Sequence, residues 1–352
     1  SGLISFINVL PLEYFWVFIV TLGIIDVIVS LLLLSNGHVR NLVGGFFSFI
    51  LIIGMIFGIN YSLNTMDFFK QFGFNEYKID KKYASTNVND YYLEDNFSYV
   101  DNYTDTGIKN RSDLIGFIYY ALNSGNDHLE RYIDSSYENY ASDITSLTQN
   151  DGYNIKQTIA VLNNYVHPYN SSNSIKLNYG GDYTIGITIN RAYSDDDIKA
   201  INEVVDKIIK EKITNNMPTR EKIRVIHDYI IDHTEYDKLK YDNKQDNTYK
   251  SNTAYGVLIQ GYGTCNGYAD AMAIFLNKLN IINYKISNDD HIWNLVYLDG
   301  KWYHLDLTWD DPISDINVSR DTYFLIDTKT LEKINDGTHK FDKAIYKEAS
   351  LY

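Results

Sequence analysis

The stretch "GYGTCNG", residues 261 to 267, holds the only cysteine of a 352-residue chain. One thiol rules out an internal disulfide framework and a cysteine-rich zinc site. What is left for it is packing or nucleophilic chemistry. After Cys265, the residues Tyr268, Met272, Phe275 and Leu279 recur at a helical period. Cys265 is therefore expected at a turn-to-helix junction, with Thr264 as the candidate N-cap. The first-turn N–H groups and the helix dipole favour a thiolate at such a place. A nucleophilic thiol also needs a base, and the base needs a group that holds its tautomer.

Both are available downstream. "INYKIS", "HIWNLVYL" and "KWYHLDLTW" read as three strands, and Asp299-Gly300 between the last two is a strong signal for a two-residue hairpin. Pairing Leu298 with Lys301 sets Trp293 opposite Asp306 and His291 opposite Thr308. Side chains alternate faces along a strand, so His291, Trp293 and Leu295 share a face with His304, Asp306 and Thr308. His291 and Asp306 become diagonal neighbours, roughly 7 Å apart at the backbone and within side-chain reach. Cys265, His291 and Asp306 thus have the types for nucleophile, base and orienting carboxylate. By spacing alone Asp289, Asp290 and His304 are rival partners for His291, and His304 fits either a core or a supporting place. His227 and His233 lie on one helix at the wrong period to chelate a metal on one face. No metal, calcium-loop or nucleotide pattern is present, so neither metal nor cofactor is expected.

The segments "SNTAYGVLIQGYGTCNGYADAMAIFLNKLNI" and "HIWNLVYLDGKWYHLDLTWDDP" resemble the transglutaminase-like superfamily in its bacterial extracytoplasmic branch. Gly-x-Cys-x-Gly-Tyr, His-x-Trp-Asn and Asp-x-Thr-Trp occur in order, and "HDYIIDHTEYD" also fits, so the resemblance runs from about Thr219 to about Leu325. It implies an α+β, papain-like core in which a helix carrying cysteine packs on an antiparallel sheet. It matches Cys265 to the nucleophile, His291 to the base and Asp306 to the orienter. The Cys265 N–H is the natural oxyanion donor. Papain-like enzymes take a second donor from a glutamine and tissue transglutaminases from a tryptophan; here Gln260 and Tyr255 are the nearest candidates, with Trp293 a further oxyanion or substrate candidate. Trp293, Trp302 and Trp309 are expected to pack around the triad.

The rest of the chain divides by composition. Residues 1–66 carry only Glu13, Asp26 and Arg40 as charges. Within them, 14–35 and 41–60 are apolar runs, each long enough to span a bilayer, which takes about 20 residues. They predict a transmembrane hairpin, with Asp26 facing a partner and Gly54 and Gly58 permitting a helix–helix dimer. Residues 67–111 read as a polar linker or small irregular region, 112–190 as an α/β accessory region, and 191–352 as the transglutaminase-like domain. Helices are expected from Ser112 to a stop at Gly125, near 136–147 and near 155–165. Strands follow at "SIKLNY" and "DYTIGITIN". Ser194 with Asp197 predicts a capping box at the start of a long amphipathic helix, and Thr219 opens another helix with Ile223, Ile226 and Ile230 inward.

The net charge of −14 makes nucleic acid a poor partner. Arg40 in the hairpin loop argues for a cytoplasmic tip, whereas Lys70, Lys78, Lys81 and Lys82 after the second run argue the other way. The family resemblance tips the expectation to a cell-membrane protein whose main part lies outside the cytoplasm. The expected partners are the lipid bilayer and an extracellular protein or cell-wall peptide substrate. The expected chemistry is a thioester route on peptide or glutamine amide bonds, ending in hydrolysis. Cross-linking of glutamine to amines, or an inactive cell-envelope binding scaffold, are the alternatives.

Overall fold

The computed structural model describes residues 88–350 apart from 95–96, 101–106, 149–152, 181–182 and 312–319. The apolar runs at 14–35 and 41–60, with Asp26, Gly54 and Gly58, lie outside the described residues. Among the described residues, no helix is long and apolar enough to cross a membrane.

Helix α1, Arg111–Ser124, starts where the Asn110 side chain accepts from the Asp113 N–H and stops at Gly125, whose φ of 76° is left-handed. Strand β1 (His128–Tyr132), helices α2 (Tyr140–Thr148) and α3 (Tyr153–Asn163), and strands β2 (Ser172–Tyr179) and β3 (Thr184–Arg191) follow. The three strands form an antiparallel sheet in the order β1-β3-β2. Strand β1, "HLERY", is absent from the sequence reading because its inward row includes buried Arg131 beside Leu129, which spoils the apolar alternation.

Helix α4 (Asp195–Lys212) begins with the full Ser194–Asp197 capping box. Helix α5 (Thr219–His233) buries Ile223, Ile226 and Ile230. Helix α6 (Cys265–Lys278) precedes β4 (Asn283–Ser287), β5 (Ile292–Leu298) and β6 (Lys301–Leu305), which form a second antiparallel sheet in that order. Alternation along β5 divides two cores. Val296 and Leu298 pack with Met272 and Phe275 of α6 and with the stripes of α4 and α5. Trp293 and Leu295 pack with residues of α1 and β3, so the 112–190 region shares a core with the second sheet.

The β5–β6 turn has positive φ at both Asp299 (51°) and Gly300 (81°), and pairing runs from Leu298 with Lys301 to Asn294 with Leu305. There the expected register ends. Strand β6 stops at Leu305, and Asp306 becomes the N-cap of a helical turn, Leu307–Asp310, accepting from the N–H groups of Thr308 and Trp309. His291 stands just ahead of β5. The expected pairing of His291 with Thr308 therefore does not form, because aspartate is a strong N-cap and turns the chain into a helix.

Candidate active site

The cysteine is placed by close packing at the two glycines that flank it. A Cβ on Gly267 would meet the Ser251 carbonyl at 2.2 Å, and one on Gly263 would meet the Tyr268 ring and Val257 at 2.8 Å. Glycine at 267 lets the Ser251 and Thr253 carbonyls lie against the start of α6, and glycine at 263 leaves room for the Tyr268 ring and Val257. Thr264 donates its N–H to the Ser251 carbonyl at 2.9 Å and its hydroxyl to Asn252 Oδ1 at 2.7 Å. Thr264 thus occupies the N-cap position without a side-chain cap hydrogen bond. The expected hydroxyl cap is absent because the loop has taken the hydroxyl. The uncapped first turn aims its N–H groups at the region of Cys265, which is half-buried.

His291 is held from three sides. Its N–H donates to Asn288 Oδ1 at 2.9 Å. Its ring stacks on Trp293 with centroids 5.5 Å apart. Its Nε2 lies 2.5 Å from Asp306 Oδ2, and Cys265 lies near enough for its sulfur to favour the imidazolium. With Nε2 taken by the carboxylate, Nδ1 is the nitrogen left for sulfur. Burial disfavours the imidazolium, but the Asp306 charge and hydrogen bond, then Cys265, overturn that and push His291 up to about 10. Asp306 is 2% exposed. Burial alone would raise its pKa, yet the two imidazoles at its oxygen bring it down to about 2.

The second of those imidazoles is His339, whose Nε2 lies 2.7 Å from the same Asp306 Oδ2. Nothing in the sequence pattern marks it as a site residue. It belongs to "DGTHK", which reads as a turn, and no spacing rule links it to Asp306 across 33 residues. Asn288 ties the two places together: its side-chain amide donates to the carbonyls of Thr338 and Lys340 at 2.6 and 2.7 Å. His291, Asp306 and His339 offer donor atoms all within 4.8 Å of one another. The spacing does not suit a metal ion, however. Separations of 2.5 and 2.7 Å are those of hydrogen bonds. A tetrahedral zinc about 2.0–2.1 Å from each atom would need them roughly 3.3 Å apart.

The remaining candidates separate cleanly. Asp289 and Asp290 are exposed. His304 is a core residue: Nδ1 accepts from Trp293 Nε1 at 3.0 Å, and Nε2 meets the Thr328 hydroxyl at 3.0 Å. Gln260 is exposed and its side-chain carbonyl accepts from the Lys250 N–H. Tyr255 lies under the Lys250 ammonium. Neither Gln260 nor Tyr255 is hydrogen-bonded to Cys265 or His291 among the described residues. Of the tryptophans, Trp293 packs on His291, but Trp302 sits with Phe97, Tyr284 and Tyr297 further along the same core, toward the Asp299-Gly300 turn. Trp309 is 40% exposed, with its ring edge-on to His291 at 6.4 Å. Its indole is held there because the helical turn begins at Asp306. Tyr236, inside the "HTEYD" stretch, is pushed up to about 12 by burial and then by the Cys265 sulfur.

Comparison with known proteins bears on this segment. Residues 206–307 match the model described as Transglut_core, the transglutaminase-like superfamily. That span includes Cys265, His291 and Asp306 and ends before His339. Two curated relatives, the kyphoscoliosis peptidases of Mus musculus and Homo sapiens, are each 25% identical over 139 residues. Those residues are 35% of this chain, and the match spans only 20% of the relatives' own length. A solved structure described as a TGase has a TM-score of 0.31 at 18% identity, over 42% of this chain and 47% of that one. At that score the likeness adds nothing to the argument.

Proposed function

We propose, for a chain that carries a transglutaminase-like domain over residues 206–307, the role of a thiol enzyme that hydrolyses peptide or glutamine amide bonds. What supports this is the single imidazole of His291, which has the Asp306 carboxylate at 2.5 Å on one nitrogen and lies near enough to Cys265 for the sulfur to strengthen its hold on a proton. Cys265 is the nucleophile, His291 the base and acid, and Asp306 the orienting carboxylate.

The steps follow from those places. His291 takes the thiol proton, and the sulfur attacks the amide carbonyl carbon. The developing oxyanion is met by the Cys265 N–H at the start of α6. The C–N bond breaks with its electron pair going to nitrogen, and the amine leaves with the proton from His291. A thioester remains. Water, deprotonated by His291, adds to it, and the carboxylic acid leaves as the thiol re-forms. Half-buried Cys265 and the exposed Asp289-Asp290 turn beside His291 give water a route to the thioester, which favours hydrolysis over transfer to an amine. The word peptidase in the relatives' names agrees with this reading. In the same proposal, the runs at 14–35 and 41–60 anchor the protein in the cell membrane, with the substrate an extracytoplasmic protein or cell-wall peptide.

The test is to incubate the full chain with a glutamine-containing peptide library and a fluorescent primary amine, and to follow both products by mass spectrometry. Cleavage or deamidation that disappears in Cys265→Ala supports the proposal. Amine incorporation exceeding hydrolysis would replace it with transglutamination. Alkylation of Cys265 by iodoacetamide at the rate of an ordinary exposed thiol would leave an inactive binding scaffold.

A further inference from the structure

His339 is buried and meets a carboxylate at each ring nitrogen. Nε2 faces Asp306 Oδ2 at 2.7 Å and Nδ1 faces Asp336 Oδ2 at 2.8 Å. Neither carboxylate can supply the proton. Asp306 already receives the His291 ring and the N–H groups of Thr308 and Trp309. Asp336 receives the N–H groups of Thr338 and His339 and the hydroxyls of Thr338 and Tyr323. The Thr338 hydroxyl also lies 3.1 Å from Nδ1, but its proton is directed to Asp336, so its oxygen can only accept there. Both nitrogens of His339 must therefore donate, which only a doubly protonated ring can do. The ring is buried against Tyr323, Trp309 and Trp293.

We propose that His339 is a positioning residue that acts through Asp306: it pins the carboxylate on His291 and, as a cation, limits how tightly that carboxylate holds the His291 proton. This rests on the assignment of Cys265, His291 and Asp306 as a thiol active site. The limit has a use there. An imidazole held too firmly as imidazolium by a buried carboxylate is a poor base toward water in the second half of the reaction. The His339 ring centroid is 5.1 Å from that of His291, close enough for one cation to oppose another. The groups facing this pair are Asp306, Asp336, Cys265, Tyr323 and His304. Of these His304 is neutral, brought down to about 3 by burial and then by His339.

The experiment measures iodoacetamide alkylation of Cys265, the sole thiol, across pH 5 to 11 in the full chain, for wild type, His339→Gln and Asp336→Asn. The glutamine amide keeps a donor toward Asp306 and removes the charge. Asp336→Asn keeps the ring and removes its need for the second proton. The expected result is that the alkaline step of the rate profile moves up by about one to two pH units in His339→Gln, and by less in Asp336→Asn. A uniform fall in rate with the step unmoved is what a merely structural histidine gives, and it overturns the proposal. The ring nitrogens of wild-type His339, read by ¹H–¹⁵N correlation at pH 7, give a second measurement that needs no variant to fold. Two protonated nitrogens sustain the proposal, and one overturns it. A wild-type profile with no alkaline step, together with a doubly protonated His339, would instead sink the thiol active site and leave the charge on His339 standing.

Discussion

His291 and His304 flank the same tryptophan and end in opposite charge states. Trp293 stacks on the ring of His291 and donates its indole N–H to His304. Both histidines are buried, 9% and 1% exposed, and burial acts on both in the same direction, against the imidazolium. On His291 the Asp306 carboxylate reverses the outcome and takes the group up to about 10. Among the described residues, His304 has no carboxylate at either nitrogen. It accepts one N–H and meets one hydroxyl, whose own proton goes to the Ala349 carbonyl. The neutral ring is fully satisfied, and His304 stays at about 3. Burial thus sets the size of the penalty, and the partner decides which charge state survives it.

The comparison breaks most sharply if Asp306 loses its charge. Asp306→Asn removes the carboxylate that separates the two histidines, and His291 falls into the regime of His304. Alkylation of Cys265 by iodoacetamide at pH 7 should drop by roughly ten- to a hundredfold, equivalent to one to two pH units of thiolate stabilisation. An unchanged rate would mean that Asp306 does not govern His291.

An effect of similar size is expected on stability at the neutral site. His304→Leu leaves the Trp293 indole N–H without its acceptor in the core. It should cost about 1–3 kcal/mol by urea denaturation at pH 7. A cost near zero would show that the indole finds another acceptor.

The two histidines should also give pH slopes of opposite sign. Between about 6.5 and 10 the folded state holds a proton on His291 that the unfolded chain has lost. The His291 contribution to stability is therefore full below about 6.5 and declines as pH rises through about 10. Between about 3 and 6.5 the unfolded chain protonates His304 while the folded state keeps it neutral. Stability linked to His304 is then present above about 6.5 and falls as pH drops toward 3. Denaturation midpoints of wild type, His291→Gln and His304→Gln from pH 4 to 10 check this. The His291 difference should shrink toward alkali and the His304 difference toward acid. Parallel curves would refute the assignment.

The smallest effect belongs to the turn that brings the two histidine-bearing segments together. A Cβ on Gly300 has nothing within 4 Å, so its φ of 81° alone sets the cost of substitution. Gly300→Val should cost about 1–2 kcal/mol. Thermal melting at pH 7 measures it, and an unchanged midpoint would mean that the turn relaxes freely.

Several features of this protein were legible in the sequence because their causes are local. The Ser194–Asp197 capping box acts within four residues, the helical period behind Cys265 within one helix, and the Asp299-Gly300 turn across two residues. Those local rules, with strand alternation, were enough to bring His291 near Asp306. The same alternation failed one residue beyond Leu305, where a capping preference of Asp306 outweighed the continuation of a strand. The second imidazole on Asp306, the use of the Thr264 hydroxyl by Asn252 and the departure of Trp302 from the site were decided only by tertiary structure. Each depends on a segment that packing delivers from elsewhere in the chain. A hydrogen bond between loops 33 residues apart has no period, and "DGTHK" carries no mark of where its histidine will be needed. The approach of the 338–340 backbone to Asn288, with Asp336 on the other ring nitrogen, fixes that ring against Asp306.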